Sequence, residues 1–228
     1  MKLCFSTKGW HDNTFEEFCN IAQSLGFKGI ELHNINNRLF TAKDGAFHDY
    51  AAAATLRRLY EKKLSIPCID AICNPSNATQ KEACIAEIRK CMEIASNLHI
   101  PNIRLRASAS ENEDEALANT AAVIGELLPE AESSGVTLLM ETAGLFAKTE
   151  KLRALLDSFA SDHLASLWNF SAAYFGGGES PEQIIKNLGA YVRHVHINDA
   201  KKAGDEIEYC LLGEGELPIK DMMLTLRS

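Results

Sequence analysis

The stretch ASLWNFSAAYFGGGESPEQIIKNLGAYVRHVHIND, residues 165 to 199, contains the unit that decides the fold. It reads as an apolar run, a capped helix and a second apolar run. Ser180, Pro181 and Gln183 carry the start signals of a helix, and Gly189 supplies its stop. Two short apolar runs joined by such a helix form a crossover between parallel strands, because a tight hairpin would leave no room for it.

The same rhythm extends back to the N-terminus through KLCFST, GIELHN, IPCIDAICN, PNIRLRA and TLLMET. Between the first two lies NTFEEFCNIAQSLGF, where Phe15, Phe18, Ala22 and Leu25 fall on one helical stripe. Thr14 with Glu17 three residues on makes a capping box, and Gly26 a stop. Strand–helix units recurring at roughly 30 residues mean parallel strands with crossover helices. A doubly wound sheet would carry a glycine fingerprint after its first strand, and none is present. Polar residues recur instead at the ends of nearly every apolar run, as on the C-terminal rim of a barrel. The expected fold is therefore α/β, a (β/α)8-type TIM barrel spanning residues 1–228 as a single domain. Its seventh strand is VRHVHIND, so an eighth is expected to be missing, with the C-terminus shortened.

Composition narrows the function. A hydrophobic content of 46% over 228 residues suffices for a substantial core. A net charge of -8 argues against a nucleic-acid partner, which needs a basic face. No apolar run is long enough for a bilayer span, and MKLCFSTKGW lacks the apolar centre of a signal peptide. Seven cysteines, an odd number without a CxxC pair, fit reduced thiols and a cytoplasmic location. Cys84 and Cys91, a heptad apart on a helix, read as packing residues.

Alternation along the strands selects candidate site residues, because the outer face must be apolar where helices cover it. Val195 and Ile197 face out, leaving His194, His196 and Asn198 inward. The same parity turns Glu141 inward against Leu138 and Met140, and Arg104 and Arg106 inward against Ile103 and Leu105. Glu31, His33, Asp70 and Asn169 complete the polar set. Structural roles compete for several of these: Glu31 as an ion-pair partner of Arg104 or Arg106, His194 as a core histidine, Asp199 as a loop cap, and Asp70 as a backbone acceptor. Glu141 and His196 stand apart, since each ends an apolar strand where packing alone asks for no polar group.

At these residues the chain resembles the xylose-isomerase-like barrel family of sugar and sugar-phosphate isomerases and epimerases. The resemblance runs over nearly the whole chain and rests on GFKGIELH, VTLLMET, GGGESPEQIIKNLGAYVRHVHINDA and LLGEGELP. It implies a divalent ion, Mn²⁺ or Mg²⁺, held by a Glu on strand five, an Asp on six, a His on seven and a Glu on eight. Glu141 matches the first position and His196 the third. Asn169 occupies the Asp position, the last would lie beyond Ser228, and the histidine that commonly follows the Asp falls at Ser171 or Ala172. In the family reaction a carboxylate removes a proton next to a carbonyl while the metal stabilises the enediolate.

The expectation is a sugar or sugar-phosphate isomerase or epimerase with Glu141 as catalytic carboxylate. Glu141, His196 and Asn169 would face the metal, and His33, Asp70, Arg106 and Lys201 the substrate. The alternative is a barrel that has lost its metal chemistry and only binds a sugar, or one completed by a second copy or another chain at an open edge between strands one and seven. Abasic-site DNA repair, which shares the barrel, is set aside. It needs several zinc ions and histidines at the third and fourth strand ends, where CIDAICN and IRLRA have none.

Overall fold

The computed structural model describes residues 2–9, 13–34, 45–204 and 206–226. Seven strands form one sheet in chain order: β1 (Cys4–Ser6), β2 (Gly29–His33), β3 (Ile69–Asp70), β4 (Asn102–Leu105), β5 (Thr137–Glu141), β6 (Leu164–Asn169) and β7 (Val192–His196). The registers β1–β2, β2–β3, β3–β4 and β6–β7 are all parallel. Sequential order with parallel pairing is the topology of a (β/α) barrel. Among the described residues no eighth parallel strand follows β7. The chain turns instead into an antiparallel hairpin of β8 (Asp199–Ala203) and β9 (Glu206–Cys210).

The helices are α1 (Phe15–Ser24), α2 (Ala52–Glu61), α3 (Lys81–Leu98), α4 (Glu113–Ser134), α5 (Thr149–Phe159), α6 (Pro181–Leu188) and α7 (Ile219–Thr225). Both caps expected from the sequence are formed. At α1 the Thr14 amide donates to Glu17 at 2.6 Å and the Glu17 amide to the Thr14 hydroxyl at 3.3 Å. At α6 the Gln183 amide donates to Ser180 Oγ at 3.3 Å, with Pro181 in the first turn. Among the described residues no helix is long and apolar enough to cross a membrane.

The residues group into two compact units. Unit one comprises Met1–Cys73, Glu82–Leu105 and Leu127–Leu138, and its core includes Ile30, Leu32, Ile69, Ile85, Ile88 and Ile103, all fully buried. Unit two comprises Asn74–Lys81, Arg106–Glu126 and Leu139–Ser228. There Trp168, Phe170, Ala173, Ile184, Ala200 and Met222 are buried in one cluster, which ties β6 and α6 to α7. Each such side chain contributes about 1.5–3 kcal/mol relative to exposure, so the strands are held by apolar packing and their ends are left to polar chemistry.

Candidate functional site

In unit two the polar ends of β5, β6 and β7 meet around one carboxylate. Glu141, the last residue of β5, is 1% exposed. Its Oε1 accepts a hydrogen bond from Asn169 Nδ2 at 2.8 Å and lies 3.2 Å from His196 Nδ1. The β6–β7 register makes this possible, because it sets Asn169 beside His196. Arg106, with its side chain 54% exposed, brings its Nε to 4.0 Å from Glu141 Oε2.

The direction of the Asn169 amide follows from the backbone around it. Its Oδ1 accepts from the Ala172 amide at 3.2 Å, from Ser171 Oγ at 3.2 Å and from Asn198 Nδ2 at 3.1 Å. Asn198 is itself oriented by the Ser171 amide, which donates to its Oδ1 at 3.0 Å. A backbone N–H can only donate, so the Ser171 and Ala172 amides set both side-chain amides and leave the Asn169 NH₂ facing Glu141. Thr142 adds a bond from the Asn169 amide to its Oγ1 at 2.9 Å. Beyond Ser171 the chain runs into a π-helical turn over Ala172–Gly177, a rare geometry that is frequent at functional sites.

Asp199 anchors the loop that follows the hairpin. Its carboxylate accepts from the amides of Ala200 (2.9 Å), Gly213 (2.8 Å), Gly215 (3.0 Å) and Leu217 (3.4 Å). Burial raises its pKa, but the four amides outweigh burial and the net shift is downward. Gly215 is required here, since a Cβ would come within 2.0 Å of Asp199 Oδ1. The loop-capping role expected for Asp199 is formed. Lys201 lies exposed on β8, in register with Glu208. Unit two also has a groove of about 300 Å³ between Asn74, Ser76, Asn112, Glu115 and Asn119, which Glu141, Asn169 and His196 do not line.

Unit one holds a second buried carboxylate. Asp70 is 2% exposed, its Oδ1 takes a short ion pair from Arg104 Nη1, and its Oδ2 lies 3.2 Å from His33 Nε2. The three residues are register partners on β2, β3 and β4. Arg104, expected from the sequence to pair with Glu31, makes its short ion pair with Asp70. Of the residues expected from the sequence to hold a metal or substrate, the structure brings Glu141, Asn169, His196 and Arg106 into one group and His33 with Asp70 into another. Strand alternation places Asn198 on the inner face but gives no signal for Thr142 or Ser171, which join the site through the bonds to Asn169 and Asn198.

This arrangement, with a carboxylate, an amide and an imidazole at successive strand ends, sits in a sequence that matches the family of xylose isomerase-like TIM barrels over residues 19–228. The chain belongs to that family. Its fold is similar to that of a xylose isomerase domain protein from Planctomyces limnophilus, with a TM-score of 0.80 and 16% identity over 98% of this chain and 85% of that one. It is also similar to a D-tagatose 3-epimerase-like protein, with a TM-score of 0.80 and 18% identity over 100% and 86%. A third similar structure is the IOLI protein with a bound zinc atom, with a TM-score of 0.83 and 17% identity over 100% and 84%. No curated protein matches the sequence.

Proposed function

We propose that this chain is an isomerase- or epimerase-like member of its family that binds a small sugar or sugar phosphate at Glu141, His196 and Arg106. Glu141 is the carboxylate that accepts a proton from the carbon next to the ligand's carbonyl. The Arg106 guanidinium, half exposed and close to Glu141 Oε2, is the group that would meet a carbonyl oxygen or a phosphate. The observation that carries this reading is the burial of Glu141 at a strand end, bonded to polar groups from two neighbouring strands.

A divalent cation of the family kind would draw on Glu141, Asn169 and His196. As arranged, the three do not fit one. Asn169 Oδ1, the only atom of that side chain able to ligate a hard ion, already takes three donors, and its NH₂ points at the carboxylate. Reversing the amide would set an NH₂ against the Ala172 N–H. In this reading the Asn169 amide joins Glu141 to the neighbouring strands, where the family uses a metal. The same bond favours a second reading, in which the sugar is held without conversion, because Glu141 Oε1 is engaged before any substrate arrives.

The test is solvent exchange. Small ketoses, aldoses and their phosphates are incubated with the protein in D₂O and followed by NMR for deuterium at the carbon beside the carbonyl. Exchange that disappears in Glu141→Gln and is indifferent to chelator supports the proposal. Binding without exchange would favour the second reading. Near-stoichiometric metal that is lost in Glu141→Ala, with exchange abolished by chelator, would overturn the role given to Asn169.

A further inference from the structure

We infer that Cys73 and Cys84 form a redox modification site, a dithiol poised to close into a reversible intramolecular disulfide within unit one. Cys73 follows β3 in the segment DAICN, and Cys84 lies in the first turns of α3. Their sulfurs are 2.8 Å apart. Bond formation needs about 2.05 Å, so the sulfurs must approach by roughly 0.8 Å, within the reach of small χ1 adjustments. Of the seven cysteines, all free thiols, this is the pair in direct sulfur contact among the described residues.

The surroundings hold the two backbones in place for this reaction. Glu87, one turn after Cys84 on α3, accepts the Ile72 amide at 2.8 Å and Asn34 Nδ2 at 3.1 Å. The segment carrying Cys73 is therefore already fastened to the helix that carries Cys84, and a disulfide would add a covalent link along the same seam. The two thiols differ in access: Cys84 is 1% exposed, whereas Cys73 is partly exposed and within reach of a small oxidant. Sharing a hydrogen bond with Cys84, with burial as the next cause, raises the Cys73 thiol well above the usual range. It keeps its proton at neutral pH, so its oxidation by peroxide is slow.

The chemistry balances with a peroxide as oxidant. One sulfur attacks hydrogen peroxide, which cleaves the O–O bond, releases water and leaves a sulfenic acid. The second thiol displaces the hydroxyl as a second water, and the S–S bond forms with two thiols oxidised and one peroxide reduced. A thiol reductant reverses it by exchange, giving back both thiols and its own disulfide.

The experiment treats the folded, reduced protein with hydrogen peroxide, quenches it with an alkylating agent, and maps peptides without reduction. The expected result is a fall from seven titratable thiols to five, a cross-linked peptide joining Cys73 to Cys84, a raised thermal midpoint, and full reversal by dithiothreitol. Cys84→Ser should stop at a dimedone-reactive Cys73 sulfenic acid with no cross-link, and its circular dichroism shows whether it remains folded. A Cys73–Cys91 link, or oxidation of other cysteines while Cys73 and Cys84 remain alkylatable, would overturn the assignment.

Discussion

Unit one and unit two each bury a carboxylate at a strand end, and they neutralise it by different means. Asp70 is matched by a full cation, the buried Arg104 guanidinium, with His33 on its other oxygen. Glu141 is matched by a neutral amide from Asn169 and by His196, and the Arg106 guanidinium 4.0 Å away is half exposed. Two opposite charges buried together commit their electrostatics to each other, and removing either one strands its partner. A carboxylate bonded to an amide keeps its negative charge available for other work, and an incoming ligand can compete for its hydrogen bonds. The first arrangement suits a fixed brace between β2, β3 and β4. The second suits a place where a proton or a ligand is exchanged, which is why the functional proposal rests on Glu141 and not on Asp70.

The largest effect should come from neutralising the brace. Asp70→Asn removes the carboxylate that pairs with the buried Arg104, and breaking a buried pair in this way costs about 3–5 kcal/mol. Urea unfolding should show that loss, and restoration by the double variant Asp70→Asn/Arg104→Met would confirm that the broken pair is the cause. A loss below about 1 kcal/mol, typical of an exposed pair, would break the comparison. Next in size is Asn169→Asp, which replaces the NH₂ facing Glu141 with a carboxylate oxygen. Two carboxylates in contact repel, and one must keep its proton or meet a cation. The variant should be destabilised by about 1–3 kcal/mol, the cost of a lost buried hydrogen bond with its group unsatisfied. Mn²⁺ should raise its thermal midpoint while leaving the parent protein unmoved. Equal responses to Mn²⁺ in both proteins would remove the distinction between amide and metal.

Much of this contrast could be read from local pattern, but its decisive parts depend on register. The caps at Thr14–Glu17 and Ser180–Gln183 are sequence-local chemistry and form as expected. Strand alternation selects Glu141, Asn169, His196, Asp70 and Arg104 as inward polar groups, and the structure gathers the first three in one cluster and pairs the last two. Parity cannot give height along the sheet, however. Both Glu31 and Asp70 satisfy the same inner-face rule, and only the pairing of Asp70 with Arg104 across β3 and β4 brings that cation onto Asp70. The direction of the Asn169 amide was likewise hidden. It depends on where the Ser171 and Ala172 amides point as the chain enters a π-helical turn, a geometry with no signal in SAAYFGG.

A third carboxylate tests whether amides alone can hold a charge. Asp199 is held by four backbone amides, and its pKa is lowered despite burial. A lowered folded-state value means that its contribution is complete above the unfolded value of about 3.9 and is lost as pH falls through the lower folded value. The amide protons of Gly213 and Gly215 should therefore keep their NMR shifts down to about pH 4 and move only below the ordinary carboxylate range. Movement centred at or above the ordinary value would mean that the loop is not held by the charge.

The smallest effect on stability is expected at Glu141, and it sharpens the comparison most. Glu141→Gln keeps an oxygen able to accept from Asn169 Nδ2 and from His196, and it turns an NH₂ toward Arg106. It weakens a 4.0 Å contact with a half-exposed guanidinium, of the sort worth about 0–1 kcal/mol. The same change of carboxylate to amide that cripples the fold at Asp70 should leave the urea midpoint nearly unchanged at Glu141, while proton exchange on a bound sugar is lost. If Glu141→Gln instead unfolds the protein as severely as Asp70→Asn, the carboxylate at the end of β5 is a second brace. The Asn169 bond would then be part of that brace, and the site for sugar chemistry would have to be sought among other residues.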